Sequence, residues 1–214
     1  MIELWGRKNA YNVQKVLWAL YELELEFEHH QIGSNPGDLE KPEFLALNPH
    51  ARIPVLVDGA GVHWESNSIV RYLGASHGAG KLWPQQAPAR SQAERWMDWE
   101  LTKLQEAFID LFWRYYRTPP ESHDPAAIED ARRHCVEHFH QLDLALSRQP
   151  YLGGDAFGIG DIACGVCLYR YFNMGLEVEQ PAAVMQWYRR LGAREAYQRA
   201  VMLPFDELKG RVEF

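Results

Sequence analysis

Apolar positions recur with two different periods along this chain, and the switches between them mark out its elements. Ile2 to Trp5 is a short apolar run stopped by Gly6, which reads as a first strand. From Asn12 the spacing turns helical: Val13, Val16, Leu17 and Leu20 share one face, Leu23 continues it, and Asn12 is placed to cap the helix. Between Glu24 and Ile32 the period returns to two. Leu25, Phe27 and His29 fall on one side and Glu24, Glu26 and Glu28 on the other, the pattern of a half-buried strand. Gly33 to Gly37 is a loop, and Lys41 to Leu47 is a candidate short helix. Pro54 opens the apolar run Val55 to Val57. A residue with no amide to donate fits the first position of a strand or an edge. Asp58-Gly59 is a hairpin turn, and Val62 to Trp64 is the return strand. Glu65-Ser66 then starts a helix with Ile69, Val70, Tyr72 and Leu73 on its apolar side. The order β-α-β-α-β-β-α predicts an α/β sandwich.

The segment His77 to Pro84, rich in glycine, breaks that pattern and reads as a linker. Everything after it is helical. Trp96, Trp99, Leu104, Phe108, Leu111 and Tyr115 mark one long helix ended by Thr118-Pro119-Pro120. Ile128, Ala131, Cys135, Phe139, Leu142 and Leu146 mark a second, and a third starts at Gly158-Ile159-Gly160-Asp161. Shorter helices follow around Trp187 and Tyr197. Two domains are expected, residues 1–78 and 88–214.

Composition narrows the class. The 214 residues are 47% hydrophobic and 24% charged, as in ordinary soluble globular proteins. Eight tryptophans and ten tyrosines imply large aromatic cores or a pocket for flat apolar molecules. A net charge of −7 argues against a general nucleic-acid binder, so an anionic ligand needs local positive groups instead. Glu3, Arg7 and Lys8 interrupt the start as no secretory leader does, and no run is long enough to span a membrane. Three cysteines make no disulfide framework and suit a reducing cytoplasm.

Taken together, Asn48-Pro49-x-x-x-Ile53-Pro54-Val55-Leu56 and Glu65-Ser66-x-x-Ile69 resemble the glutathione site of the cytosolic glutathione transferases, most closely bacterial theta- and nu-like members. The second half, with Tyr151-Leu152-Gly153-Gly154 and Gly158-Ile159-Gly160-Asp161-Ile162-Ala163, is similar to that family's helical domain. The resemblance implies a thioredoxin-like N-terminal domain carrying the glutathione site and an all-α C-terminal domain carrying the second-substrate pocket. It also implies a cis peptide bond at Ile53-Pro54 and a homodimer. Ile53 would bond the cysteinyl backbone of glutathione, Glu65 and Ser66 its γ-glutamyl end, and Arg52, with Lys41, the glycine carboxylate.

One departure from the family bears on the chemistry. The serine or cysteine expected five residues before Lys15-Val16 is replaced by Ala10. Asn12 is the candidate for contact with the sulfur, as in nu-like relatives, with Asn9 and Tyr11 beside it. Gly158 stands where the family has Ser or Thr, which bears on folding rather than chemistry; Asp161 still reaches back to the cap amide. His134 and His138 have metal-ligand spacing, but with no third ligand a solvated helix face is the better reading, and no metal is expected. Cys164-x-x-Cys167 lies in the helical half, away from any redox position, so buried small side chains are expected. Trp113 and Tyr116 are the candidates for the second-substrate pocket. The expected activity is conjugation of the glutathione thiolate, the co-substrate, to small apolar electrophiles. The alternatives are a glutathione-binding protein without turnover and a glutathione-dependent disulfide reductase.

Overall fold

The computed structural model describes residues 1–212. Its first unit is a four-stranded sheet in the order β2-β1-β3-β4, built from β1 (Ile2–Trp5), β2 (Phe27–His30), β3 (Val55–Asp58) and β4 (Gly61–Trp64). β1 runs parallel to β2 and antiparallel to β3, with Leu4 opposite Leu56, and the hairpin partner β4 closes the edge. Helices α1 (Tyr11–Glu22), α2 (Pro42–Leu45) and α3 (Ser66–His77) complete it. The sandwich read from the sequence is present, with β2 and α2 both shorter than their patterns implied. Glu24, Glu26 and Glu28 do face solvent, and Leu25, Phe27 and His29 are half-buried.

The helical part begins with a single long helix over residues 87–117. Two α-helical stretches, α4 (Ala87–Trp99) and α5 (Gln105–Leu111), are each followed by a π-helical segment, Glu100–Leu104 and Phe112–Arg117. Pro119 stops it as expected. Then come α6 (Pro125–Leu146), α7 (Ile159–Gly165), α8 (Leu168–Asn173), α9 (Ala182–Gly192) and α10 (Glu195–Ala200). Among the described residues no helix is long and apolar enough to cross a membrane.

Helix α1 is the hub. One side packs on the sheet and α3, the other on α7 and α10, so residues 13 to 20 are buried on every side. Its amphipathic reading is therefore incomplete: Gln14 and Lys15, polar positions off the apolar stripe, are 0% exposed as well. Trp18 plugs the seam between the two parts, 4.6 Å from the Tyr197 ring and 5.4 Å from that of Phe157. Gly165 allows this approach, because a Cβ there would sit 2.7 Å from Leu191 and 3.1 Å from the Trp18 ring.

At the start of α7, Gly158 offers no cap side chain, and Asp161 supplies the acceptor. Its carboxylate takes hydrogen bonds from the Gly158 and Leu152 amides, both at 3.0 Å, and from Trp187 Nε1 at 2.9 Å. All three cysteines are free and buried, and burial raises each thiol's pKa. Cys164 and Cys167 are core residues, as the sequence implied. His138 packs edge-on against Trp99, and no group of three His, Cys, Asp or Glu among the described residues forms a metal cage.

Candidate functional site

A helix begins with amides that have no partner inside it, and a side-chain oxygen at the N-cap normally takes one of them. α6 obeys this rule: Asp124 accepts from the Ala126 and Ala127 amides. Most of the other helices do not, and two of these open on the same space. The N-cap of α1 is Ala10, which has no oxygen to offer, and the N-cap of α3 is Glu65, whose side chain does not turn back. Asn12 is thus not the cap that the sequence suggested; it lies in the first turn, one residue inside the helix. Both uncapped ends face one open cavity of about 750 Å³, which Ala10, Tyr11, Asn12, Glu65 and Ser66 help to line. Each end carries partial positive charge and favours an anion.

The two ends are tied together. The Ser66 hydroxyl donates to Asn12 Oδ1 at 3.2 Å. This sets the Asn12 amide with its oxygen towards Ser66 and leaves Nδ2, a donor, with no partner among the described residues. Glu65 holds a left-handed backbone at φ +67°, which costs a non-glycine residue about 1–3 kcal/mol and is typical of ligand clamps. The buried neighbours Ser66 and Asn67 hold it there.

The opposite wall is the loop into β3. The Ile53-Pro54 bond is cis. Buried Asn48 braces this loop: its Nδ2 donates to the Arg52 carbonyl at 2.8 Å and its Oδ1 accepts from the His50 amide at 3.0 Å. Arg52 is exposed at the rim, while Ile53 and Pro54 face the cavity. The Gly33 to Gly37 loop forms a third side. Arg7 pins it by donating to the Gly33 carbonyl at 2.6 Å, and the positive φ of Gly33, +86°, brings the loop within reach of Ile53. Trp113, more than a third exposed, is the contribution of the long helix, and the Arg117 guanidinium lies 4.0 Å from the centre of its ring.

Four expected contributors are placed differently. Tyr11 lines the cavity, but its hydroxyl points away and donates to buried Glu100 at 2.9 Å. Asn9 lies outside the lining, its side-chain amide bonded to Glu207. Lys41 is half-exposed and paired with Asp38 at 3.1 Å. Tyr116 is only 6% exposed and stacks on Phe112 within the core, 5.1 Å between centroids, so the structure does not bring it to the cavity.

Residues 12–76 match the family model described as the N-terminal domain of glutathione S-transferase, and residues 125–190 match that of its C-terminal domain. The chain belongs to the glutathione S-transferase family. Glutathione S-transferase GstB of Escherichia coli strain K12 is 41% identical over 206 residues, covering 95% of this chain and 99% of its own. A theta-class glutathione S-transferase from the citrus canker pathogen Xanthomonas axonopodis pv. citri, solved with glutathione bound, is also 41% identical, with a TM-score of 0.91 and coverage of 95% and 98%. Disulfide-bond oxidoreductase YfcG of Escherichia coli strain K12 is more distant, 25% identical over 89% of this chain and 90% of its own.

Beneath the cavity this glutathione transferase carries a buried polar cluster that sequence reading missed. Lys15 and Glu100 pair at 2.8 Å, both 0% exposed. Lys15 also donates to Gln105 at 2.9 Å, and Asn67 donates to the Met97 carbonyl at 2.9 Å and to Glu100 at 3.4 Å. With the Tyr11 hydroxyl, the cluster joins α1, α3 and the first π segment of the long helix. A π segment at such a junction is a common mark of a functional region. Neither helix end at the cavity can shift without disturbing this cluster.

Proposed function

We propose that this protein conjugates glutathione, as its thiolate, to small apolar electrophiles, with both uncapped helix ends holding the tripeptide. That pairing is the observation that carries the reading. Glutathione is an extended anion with a carboxylate at each end and a thiol between. The α3 end, with Glu65 and Ser66, takes the γ-glutamyl group. The exposed backbone of Ile53 pairs with the cysteinyl residue, and Arg52 takes the glycine carboxylate. This order leaves the sulfur at the first turn of α1, beside Asn12.

A free thiol ionises near pH 8.5, so little thiolate exists at neutral pH. Unpaired amides, the helix dipole and the Asn12 Nδ2 donor all favour the charged form. The proton leaves to water. The sulfur then attacks the electrophilic carbon, a thioether forms, and the leaving group departs or the electrons move into an acceptor. Trp113 offers the apolar partner a flat wall beside the sulfur, and proximity does the rest. Residues 1–78 hold glutathione in this scheme, and residues 88–214 supply the second-substrate wall. Any disulfide reduction would need two glutathione molecules, since the protein's own thiols are buried. A panel of electrophiles and small disulfides, assayed with glutathione, separates conjugation from that reaction.

Ser66→Ala is expected to weaken glutathione binding roughly tenfold, the loss of one hydrogen bond to a charged group, with the fold retained. Calorimetry giving unchanged affinity would take Ser66 out of the site. Val62, Trp64 and Leu101 are large exposed apolar side chains, and Trp96 and Trp99 are half-buried on the same long helix; Met97 is fully buried and belongs to the core. Together they support a two-fold homodimer in which the sheet unit meets the partner's long helix. Light scattering should give roughly twice the chain mass of 24.8 kDa; the single-chain value at micromolar concentration would count against it. Free cysteines throughout fit a cytoplasmic setting.

A further inference from the structure

Arg170, on α8, is 4% exposed, yet no carboxylate bonds it among the described residues. Its guanidinium donates to the main-chain carbonyl of Asn9 at 2.5 Å and lies over the rings of Phe112 and Phe205, at 5.5 and 5.9 Å. A buried charge is ordinarily closed by an opposite one, as Lys15 is by Glu100. Here the polar partner is a backbone oxygen, and it belongs to the residue that leads into Ala10, the cap of α1. The surroundings are aromatic and dry, so the charge is poorly screened in the direction of the cavity.

Among the described residues, no carboxylate touches it. Arg7, after β1, and Arg117, on the long helix, face it with the same sign. Tyr11 on α1 and Tyr116 on the long helix are pushed upward, first by burial, and so remain neutral through the range in which a thiol ionises. Among the described residues Asp206 and Glu207, in the turn after α10, are acids on this side, and Glu207 is engaged by the Asn9 side chain. Burial, followed by the effect of Arg7 and Arg117, brings the Arg170 pKa down to about 10, which still leaves it charged at neutral pH.

We propose that Arg170 is a positioning residue for the glutathione thiolate: it pins the Asn9 carbonyl, and with it the start of α1, and its buried charge adds to the helix amides in favouring thiolate over thiol. This rests on the reading that places the sulfur at the first turn of α1. It supplies a physical account of how a chain with alanine at position 10 ionises its co-substrate. The family's hydroxyl is replaced by a positive field from behind the helix end.

The test compares Arg170→Lys, Arg170→Gln and Arg170→Met with the unmodified protein. Bound-glutathione thiol pKa is read from thiolate absorbance against pH, and affinity for S-methylglutathione, which has no thiol to ionise, is read by calorimetry. Arg170→Gln and Arg170→Met should raise the thiol pKa by about one unit, a tenfold fall in ionisation, at the low end for an opposite charge nearby. S-methylglutathione affinity should stay within about twofold, and Arg170→Lys should keep most of the depression. A thiol pKa equal in the unmodified, Lys and Gln proteins would overturn the inference. So would a loss of S-methylglutathione affinity that accounts for the whole effect, since that is a purely structural role. Should the Met variant not fold, Lys against Gln decides. An unmodified protein that binds glutathione without a thiolate band at neutral pH overturns the reading of the site itself, and this inference with it.

Discussion

Asn12→Ala is expected to slow conjugation at neutral pH by about ten- to a hundredfold and to raise the pKa of the bound thiol. A hydrogen bond to a charged group contributes about 1.5–3 kcal/mol, and each 1.4 kcal/mol is a factor of ten in rate. Asn12 lines the cavity, and its Nδ2 has no partner among the described residues, because Ser66 holds the other end of that amide. The substitution leaves the backbone amides and the helix dipole in place, so the loss should be partial and should shrink as pH rises above the thiol pKa. Rates measured from pH 6 to 10, with thiolate absorbance on the same samples, check both parts. A profile that coincides with that of the unmodified protein would remove Asn12 from the chemistry. Ala10→Ser is the contrasting variant. A serine at the cap accepts from a first-turn amide and stabilises the helix by about 1 kcal/mol, while its hydroxyl remains close to the sulfur, so little change in rate is expected.

Glu100→Ala is expected to destabilise the protein by about 3–5 kcal/mol, because it leaves Lys15 charged and without its carboxylate in a fully buried position. For a chain of this length that is a fall in melting temperature of roughly 10 °C or more. The double variant Lys15→Met with Glu100→Leu removes both charges, and should recover most of the loss although it has fewer hydrogen bonds. Urea denaturation followed by tryptophan fluorescence measures all three proteins. A double variant no more stable than Glu100→Ala would show that the hydrogen bonds to Tyr11, Gln105 and Asn67 outweigh the charge.

Much of this was legible in the chain because it is written in local chemistry. Pro54 before an apolar run, Asp58-Gly59, and Glu65-Ser66 ahead of a helical stripe each have a single good structural use, and the β3–β4 hairpin and the start of α3 follow from them. The exact cap of α1 was not legible. Asn is a far better cap than Ala by propensity, yet tertiary contacts begin the helix at Tyr11 and leave Ala10 in the cap position. The face of the long helix was misread for a different reason. The 3.6-residue period carried from Phe108 through Leu111 puts Tyr115 inside; Leu111 is buried as that period implies, but Phe112 and Tyr116 are buried too, and Tyr115 is only half-buried. A π-helical turn holds more residues than an α-helical one, so the segment Phe112–Arg117 widens the buried face to take in Tyr116 beside the half-buried Tyr115. Glu100 was detectable: it lies three residues after Met97 and four before Leu104, an acid on an apolar stripe. Lys15 was not, since only the second layer of helices makes that side of α1 an interior one.

The tight seam at Trp18 leads us to expect that turnover does not wait on domain motion. With an indole wedged against Tyr197 and Phe157, and Gly165 leaving no room for even a methyl group, the two parts of the chain have no joint about which to swing. A transferase built this way has no domain closure to wait for. Ligands enter and products leave by the open mouth between the Gly33 loop and Trp113, past side chains that move in nanoseconds rather than domains that move in milliseconds. The slow step is then left to the chemistry or to unbinding of the conjugate, and solvent viscosity should slow turnover only in the second case.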